Sequence, residues 1–187
     1  MSDHQFLSSY FARYREALLD TDVSSQLIQL KELMTATHAA HRKTIIVGNG
    51  GSAAIASHCT VDFTKNARIR CVNFNESGLI TCLANDYGYE YWIEKALESY
   101  VDVGDLLVLI SSSGKSSNMI RAAEYAIHQN LMLVTFTGFA PDNALKIRGK
   151  LNFWVDSHAY NIVEMTHQIW LLAVCDLIIG KAEYPAS

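Results

Sequence analysis

The chain has 187 residues, of which 50% are apolar, and a formal net charge of −4 without a cluster of Lys or Arg. That length fills one full-sized core better than two small ones, so residues 1–187 read as a single domain. The charge excludes the cationic footprint of a nucleic-acid binder and the basic amphipathic face of a membrane-surface protein, leaving small anions as the charged partners to consider.

Residues 4–19 space Leu7, Tyr10, Phe11, Tyr14 and Leu18 by three and four, and residues 25–40 do so with Leu27, Leu30 and Met34; this period predicts two amphipathic helices. The pattern then changes to short runs rich in β-branched and aromatic residues: TIIVG at 44–48, RCVNF at 70–74, DLLVLI at 105–110, LMLVTF at 131–136 and NFWV at 152–155. None alternates strictly, as expected of strands covered on both sheet faces. Helical segments at about 52–65, 77–84, 88–100 and 118–129 separate them, and a last helix over about 161–180 closes the chain. Its apolar stretch IWLLAVCDLIIG is too short and too interrupted to span a bilayer and reads as buried. Cys59, Cys71, Cys82 and Cys175 lack CxxC spacing, and no basic stretch precedes an apolar run at the N-terminus. These features predict reduced thiols in a cytoplasmic protein.

Alternating strands and helices predict a parallel sheet with right-handed crossovers and helices on both faces. Ligands in such sheets bind beyond the carboxyl ends of the strands. That rule singles out GNGGS after the first strand and SSSGKSSN after the third. A strand that ends in small residues and turns straight into a helix leaves backbone N–H groups unpaired at the positive end of the helix dipole, which suits an anion. Ser111, Ser112, Ser113 and Ser116 add hydroxyl donors, and Gly114 allows close backbone approach. The same residues also make an ordinary loop, with Ser117 or Asn118 capping the helix. In GNGGSAAIASH, Gly48, Gly50 and Gly51 follow a strand and Ser52 can cap; the spacing is neither that of a dinucleotide fingerprint nor GxxxxGK[ST].

VGNGGSAAIASH, ANDYGYE at 84–90, ISSSGKSSN at 110–118 and VEMTHQIWLLAVCDLI at 163–178 together resemble the sugar isomerase (SIS) domain family, most closely its sedoheptulose-7-phosphate isomerase branch. The resemblance implies a flavodoxin-like three-layer α/β/α fold with a five-stranded parallel sheet and two leading helices. It also implies a homotetramer with active sites between subunits, acting on a phosphorylated seven-carbon sugar that feeds lipopolysaccharide or capsule synthesis. By the same resemblance Ser111, Ser112, Ser113 and Ser116 grip the phosphate, and Asn49, Gly50, Gly51, Ser52 and Asp86 bind the sugar. Without it, Asn85-Asp86-Tyr87-Gly88 is ordinary turn chemistry between two helical segments.

Interconverting a ketose and an aldose phosphate requires a base beside the carbonyl and a donor or metal for the charge on oxygen. His58 and Asp62, four apart on one helix face, match a His-x-x-x-Glu pattern whose carboxylate is the base and which binds zinc in some members. Here the carboxylate is one methylene shorter. On the last helix Glu164 stands where the family has Gln, and Leu172 where it has His. Two readings of Glu164 and His167 stay open. Either they join His58 and Asp62 in catalysis, with His58, Asp62 and Glu164 holding zinc, or they form a buried hydrogen-bond network. A non-catalytic sugar-phosphate regulator or tetrameric scaffold is the alternative that Leu172 favours.

Overall fold

The computed structural model describes residues 1–184. Two helices lead, α1 (Asp3–Leu18) and α2 (Ser24–Ala39), followed by strand β1 (Thr44–Gly48) and helix α3 (Gly51–Lys65). Then come β2 (Cys71–Asn73), α4 (Ser77–Tyr87), α5 (Trp92–Tyr100), β3 (Leu106–Ser111) and α6 (Ser117–His128). Strands β4 (Met132–Thr137) and β5 (Leu151–Trp154) and the long helix α7 (Tyr160–Ile179) complete the chain.

All five strands pair in parallel in the order β2-β1-β3-β4-β5. Every residue of β1 and β3 is buried, which is why their sequences lack alternation. One face packs Ile46, Val108, Val134 and Phe136 against Leu30, Met34, Phe63, Trp170 and Leu171, so α2, α3 and α7 cover it. The other packs Ile45, Val47, Leu107 and Leu109 against Trp92, Leu97, Met119 and Ala122 of α5 and α6. The result is the expected three-layer α/β/α arrangement. Helix α7 is longer than its apolar core segment suggests, spanning 20 residues with a mean hydropathy of 1.6. By length and composition it could cross a membrane, but it buries Val163, Trp170, Leu171 and Val174 in the core beneath the sheet.

The strand order reverses between β1 and β3, because the chain leaves β1 for one edge and returns to pair β3 on its other side. Such a switch point leaves a crevice beyond the carboxyl ends of the two strands. The glycine loop after β1 and the serine loop after β3 open there. One boundary differs from expectation: Asn85, Asp86 and Tyr87 form the last turn of α4 and no separate turn. The stop comes from Gly88, whose φ of +95° lies where other residues are strained.

Candidate active site

The glycine loop enters α3 abruptly. Gly50, at φ +53°, is the N-cap residue, and no side chain caps the helix. Ser52 therefore differs from expectation: it sits within the first turn, 3% exposed, and leaves the orphan N–H groups of α3 open to a ligand. The serine loop follows the same plan. Ser111 ends β3, and Ser116 is the N-cap residue of α6, again without a side-chain cap bond. Two uncapped helix ends thus meet at one switch point, and each contributes positive potential.

The serine loop is held mainly by backbone bonds, with Ser113 Oγ accepting from Lys115 N–H at 3.3 Å. Gly114 N–H donates to Ser111 O (3.0 Å), Gly138 N–H to Ser112 O (2.9 Å) and Leu145 N–H to Gly114 O (3.0 Å). Gly114 takes φ +63°, and a β-carbon there would run into Asn143. Between the loops lies a cleft of about 220 Å³ lined by Asn49, Ser52, Ser111, Ser112, Ser113, Ser116, Tyr160 and Glu164. A second hollow of about 310 Å³ shares Asn49 and Ser116 with it and adds Tyr89, Glu90 and Asn118. Asn49 and Asn118 exchange amide hydrogen bonds in both directions, at 3.0 and 2.9 Å, and Tyr89 Oη donates to Asn49 Oδ1 at 3.1 Å.

Glu164 reaches this cleft from α7. Its carboxylate fills the space above Gly51, where a β-carbon would collide with both of its oxygens, and it accepts a 3.5 Å bond from Ser112 Oγ. Burial raises its pKa above the ordinary glutamate value, and the Ser112 bond offsets this in part. The sequence left open whether Glu164 and His167 join His58 and Asp62; within one subunit Glu164 lies in the cleft and the other three lie outside it. His167 has no exposed surface, donates from Nε2 to Thr137 O at 3.0 Å, and packs against Phe136 and Trp170. It belongs to the core beneath the sheet, and burial pushes its pKa down to about 4.

His58 and Asp62 do pair, Nε2 to Oδ2 at 3.2 Å, on a partly exposed face of α3 where Asn66 also donates to Asp62. They begin two helical turns beyond Gly51, about 10 Å along the axis, and line neither hollow. Asp86 lines neither hollow; it is exposed at the end of α4, accepting from Asn85. Among the described residues no group of three or more His, Cys, Asp or Glu side chains could hold a metal ion. His58 and Asp62 offer two donors, Glu164 stands apart, and Leu172 offers none, so the residues of one subunit do not fit zinc.

Four lining residues, Tyr89, Glu90, Asn118 and Tyr160, went unsuspected from the sequence. Tyr160 and Tyr89 look like ordinary helix and turn aromatics, and Asn118 like an alternative cap. Adjacency was the one signal for three of them, since Tyr89 and Glu90 belong to the quoted ANDYGYE and Asn118 to SSSGKSSN; Tyr160 had none.

Comparison with known proteins matches the SIS domain model to residues 9–138, a span that holds both loops and ends before β5 and α7. A phosphoheptose isomerase of Fusobacterium nucleatum is 33% identical over 140 residues, covering 71% of this chain and 72% of that protein. One of Akkermansia muciniphila is 30% identical over 162 residues, covering 83% and 85%. Among solved structures, the phosphoheptose isomerase of Neisseria gonorrhoeae superposes with a TM-score of 0.84 at 26% identity, over 95% of this chain and 99% of that one. The isomerase of Francisella tularensis shares the fold at a TM-score of 0.88 and 24% identity, over 97% and 100%. With the loops, the sheet order and the sequence in agreement, the chain belongs to the SIS domain family and sits among its phosphoheptose isomerases.

Proposed function

We propose that this protein is an aldose–ketose isomerase of phosphorylated sugars that takes sedoheptulose 7-phosphate to glycero-manno-heptose 7-phosphate. The observation that carries the reading is the cleft itself: five serines and two uncapped helix ends converge on one anion-sized space at the sheet's switch point. Neutral hydroxyls and backbone N–H groups replace the water around a phosphate without an arginine. The relatives' shared name supplies the reaction class.

In this reading Ser111, Ser112, Ser113 and Ser116 hold the phosphate, and Asn49, Gly50, Gly51, Ser52 and Glu164 face the sugar. Asp86 meets sugar hydroxyls only if α4 and the cleft are bridged by the substrate or a second subunit. Isomerisation moves one proton from the carbon beside the ketone to the carbon of the ketone itself, through an enediol, and moves one proton between the two oxygens. Asp62 is the base that removes and returns the carbon proton, and His58 steadies it through their 3.2 Å contact. Because the pair lies outside its own subunit's cleft, it serves a site completed by a second subunit of a homotetramer. Helix α1 supports an assembly: none of its residues is buried, and Phe6, Leu7 and Phe11 are exposed. The described residues of one subunit offer no zinc set, and no step is routed through a metal. The product's place in lipopolysaccharide or capsule synthesis and a cytoplasmic site of action complete the proposal.

A second reading, a sugar-phosphate binder without turnover, is favoured by Leu172 and by the distance of His58 and Asp62 from the cleft. One measurement separates them. In deuterated buffer with sedoheptulose 7-phosphate, an isomerase exchanges the hydrogen beside the carbonyl, visible by NMR, and Asp62→Asn abolishes it. Tight binding without exchange establishes the regulator; Asp62→Asn with full exchange removes Asp62 from the mechanism.

A further inference from the structure

Asn49 lines both hollows, and its amide is almost fully committed. Its Oδ1 accepts two hydrogen bonds, from Asn118 Nδ2 at 2.9 Å and Tyr89 Oη at 3.1 Å, and one Nδ2 proton goes to Asn118 Oδ1 at 3.0 Å. A carbonyl oxygen has two lone pairs and an amide nitrogen two protons. One N–H is left, and it is the only group of this side chain free to meet a ligand.

A reciprocal amide pair can ordinarily flip as a unit and still be satisfied. Here it cannot. The backbone N–H of Met119, in the first turn of α6, donates to Asn118 Oδ1 at 3.0 Å, which fixes the oxygen of Asn118 toward the helix. The nitrogen of Asn118 then has to face the oxygen of Asn49. Asn118 is itself 2% exposed, so water cannot take over either role. The order set by the backbone of α6 is thereby relayed to the glycine loop on the other side of the switch point.

We propose that Asn118 is a positioning residue that locks Asn49 as a hydrogen-bond donor aimed at an oxygen of the bound sugar phosphate. Asn49 makes the contact and Asn118 acts through it. A donor held in place in advance is what a carbonyl oxygen needs as charge develops on it, and an amide free to turn would present its oxygen half of the time. The inference rests on the sugar-phosphate reading of the cleft; the relay itself does not.

The test is a double-mutant cycle with Asn49→Ala and Asn118→Leu in the full-length protein, read in kcat/KM and in Kd for sedoheptulose 7-phosphate. Each single change is expected to lower kcat/KM by roughly 10- to 100-fold, the cost of misplacing a reacting group. The double variant is expected to be no worse than Asn49→Ala. Asn118→Asp keeps the acceptor for Met119 but sets a second acceptor against Asn49 Oδ1 in place of the donor, so it should not recover the loss. Affinity for inorganic phosphate, gripped by the serines, should stay within about twofold in Asn118→Leu, because no serine contact changes. Multiplying losses, or phosphate affinity falling in step with kcat/KM, overturns the inference and leaves a purely structural Asn118.

A substrate-free readout separates this outcome from failure of the isomerase reading. In side-chain amide NMR, Asn49 should give two dispersed, slowly exchanging protons in the wild type and a collapsed pair in Asn118→Leu. An unchanged Asn49 signal in Asn118→Leu refutes the relay. A wild type that neither turns over nor binds the sugar phosphate refutes the reading of the cleft, and the amide signal still decides the relay.

Discussion

The carboxylate of Glu164 occupies the space that a β-carbon on Gly51 would need. Gly51 is therefore small for a reason that lies on another helix. The backbone there tolerates alanine, and the obstacle is the movable end of a glutamate side chain, so Gly51→Ala should fold and should drive Glu164 away from Ser112. Stability is expected to fall by no more than about 1 kcal/mol. If Glu164 contributes to the sugar contacts, Gly51→Ala lowers sugar-phosphate affinity as Glu164→Ala does, and the two losses do not add. Calorimetric titration of the three variants checks this; additive losses would place Glu164 outside the site.

Glu164 also sets a pH dependence. Burial raises its folded pKa, so the folded state resists ionisation that the unfolded chain accepts near 4.5. Below that value both states are protonated and nothing is lost. As pH rises past it, the folded state is penalised until Glu164 itself ionises, and the penalty then persists. Glu164→Gln should accordingly be more stable than the wild type at pH 7 and level with it at pH 4. The same change removes a negative charge beside the anion cleft and should tighten inorganic phosphate binding on the order of tenfold at pH 7. Weaker phosphate binding in Glu164→Gln would mean that the carboxylate faces away from the anion.

The serine loop hangs on Gly114. Its φ of +63° disfavours any side chain, and a β-carbon would displace Asn143, a 2% exposed residue whose amide holds Gly138 O, Ala140 O and Lys146 N–H. Gly114→Ala combines about 1 kcal/mol of backbone strain with the loss of buried hydrogen bonds worth about 1–3 kcal/mol. We expect a drop of roughly 2–4 kcal/mol in urea unfolding, with phosphate affinity reduced in the fraction that folds. A variant with wild-type stability would show that the loop relaxes around the methyl group.

The layers, all five strands and the two loops are legible in the sequence because each rests on local chemistry: apolar runs without alternation, a change of period, and small residues at strand ends. The boundary of α4 was not, since Asn85-Asp86 carries the same turn signal whether the stop comes there or at Gly88. The site divides in the same way. The serine loop and the glycine loop open on one cleft, but the link of Glu164 and His167 to His58 and Asp62, one of two readings left open, rested on the resemblance and on spacing along each helix. Spacing fixes which residues share a helix face and cannot say what that face meets. Three residues on from Glu164, His167 turns from the cleft into the core, a rotation that the apolar neighbours on both sides of α7 do not reveal.

His167 supplies the last test. Neutral and buried, with a folded pKa of about 4 against an ordinary 6.5, it disfavours protonation that the unfolded chain welcomes. Its contribution is therefore harmless above pH 6.5 and costs stability progressively as pH falls from there toward 4, reaching about 2 kcal/mol by pH 5. Among the described residues its Nδ1 has no partner, and Thr137 O keeps a second donor in Val155 N–H at 2.9 Å, so an apolar side chain leaves no orphan carbonyl. His167→Leu should thus match the wild type within about 1 kcal/mol at pH 7 and exceed it at pH 5. Urea midpoints at the two pH values decide the matter. Should the gap between the variants stay constant from pH 7 to pH 5, His167 would have to be protonated inside the fold, which needs an acceptor at Nδ1 that the present packing does not provide.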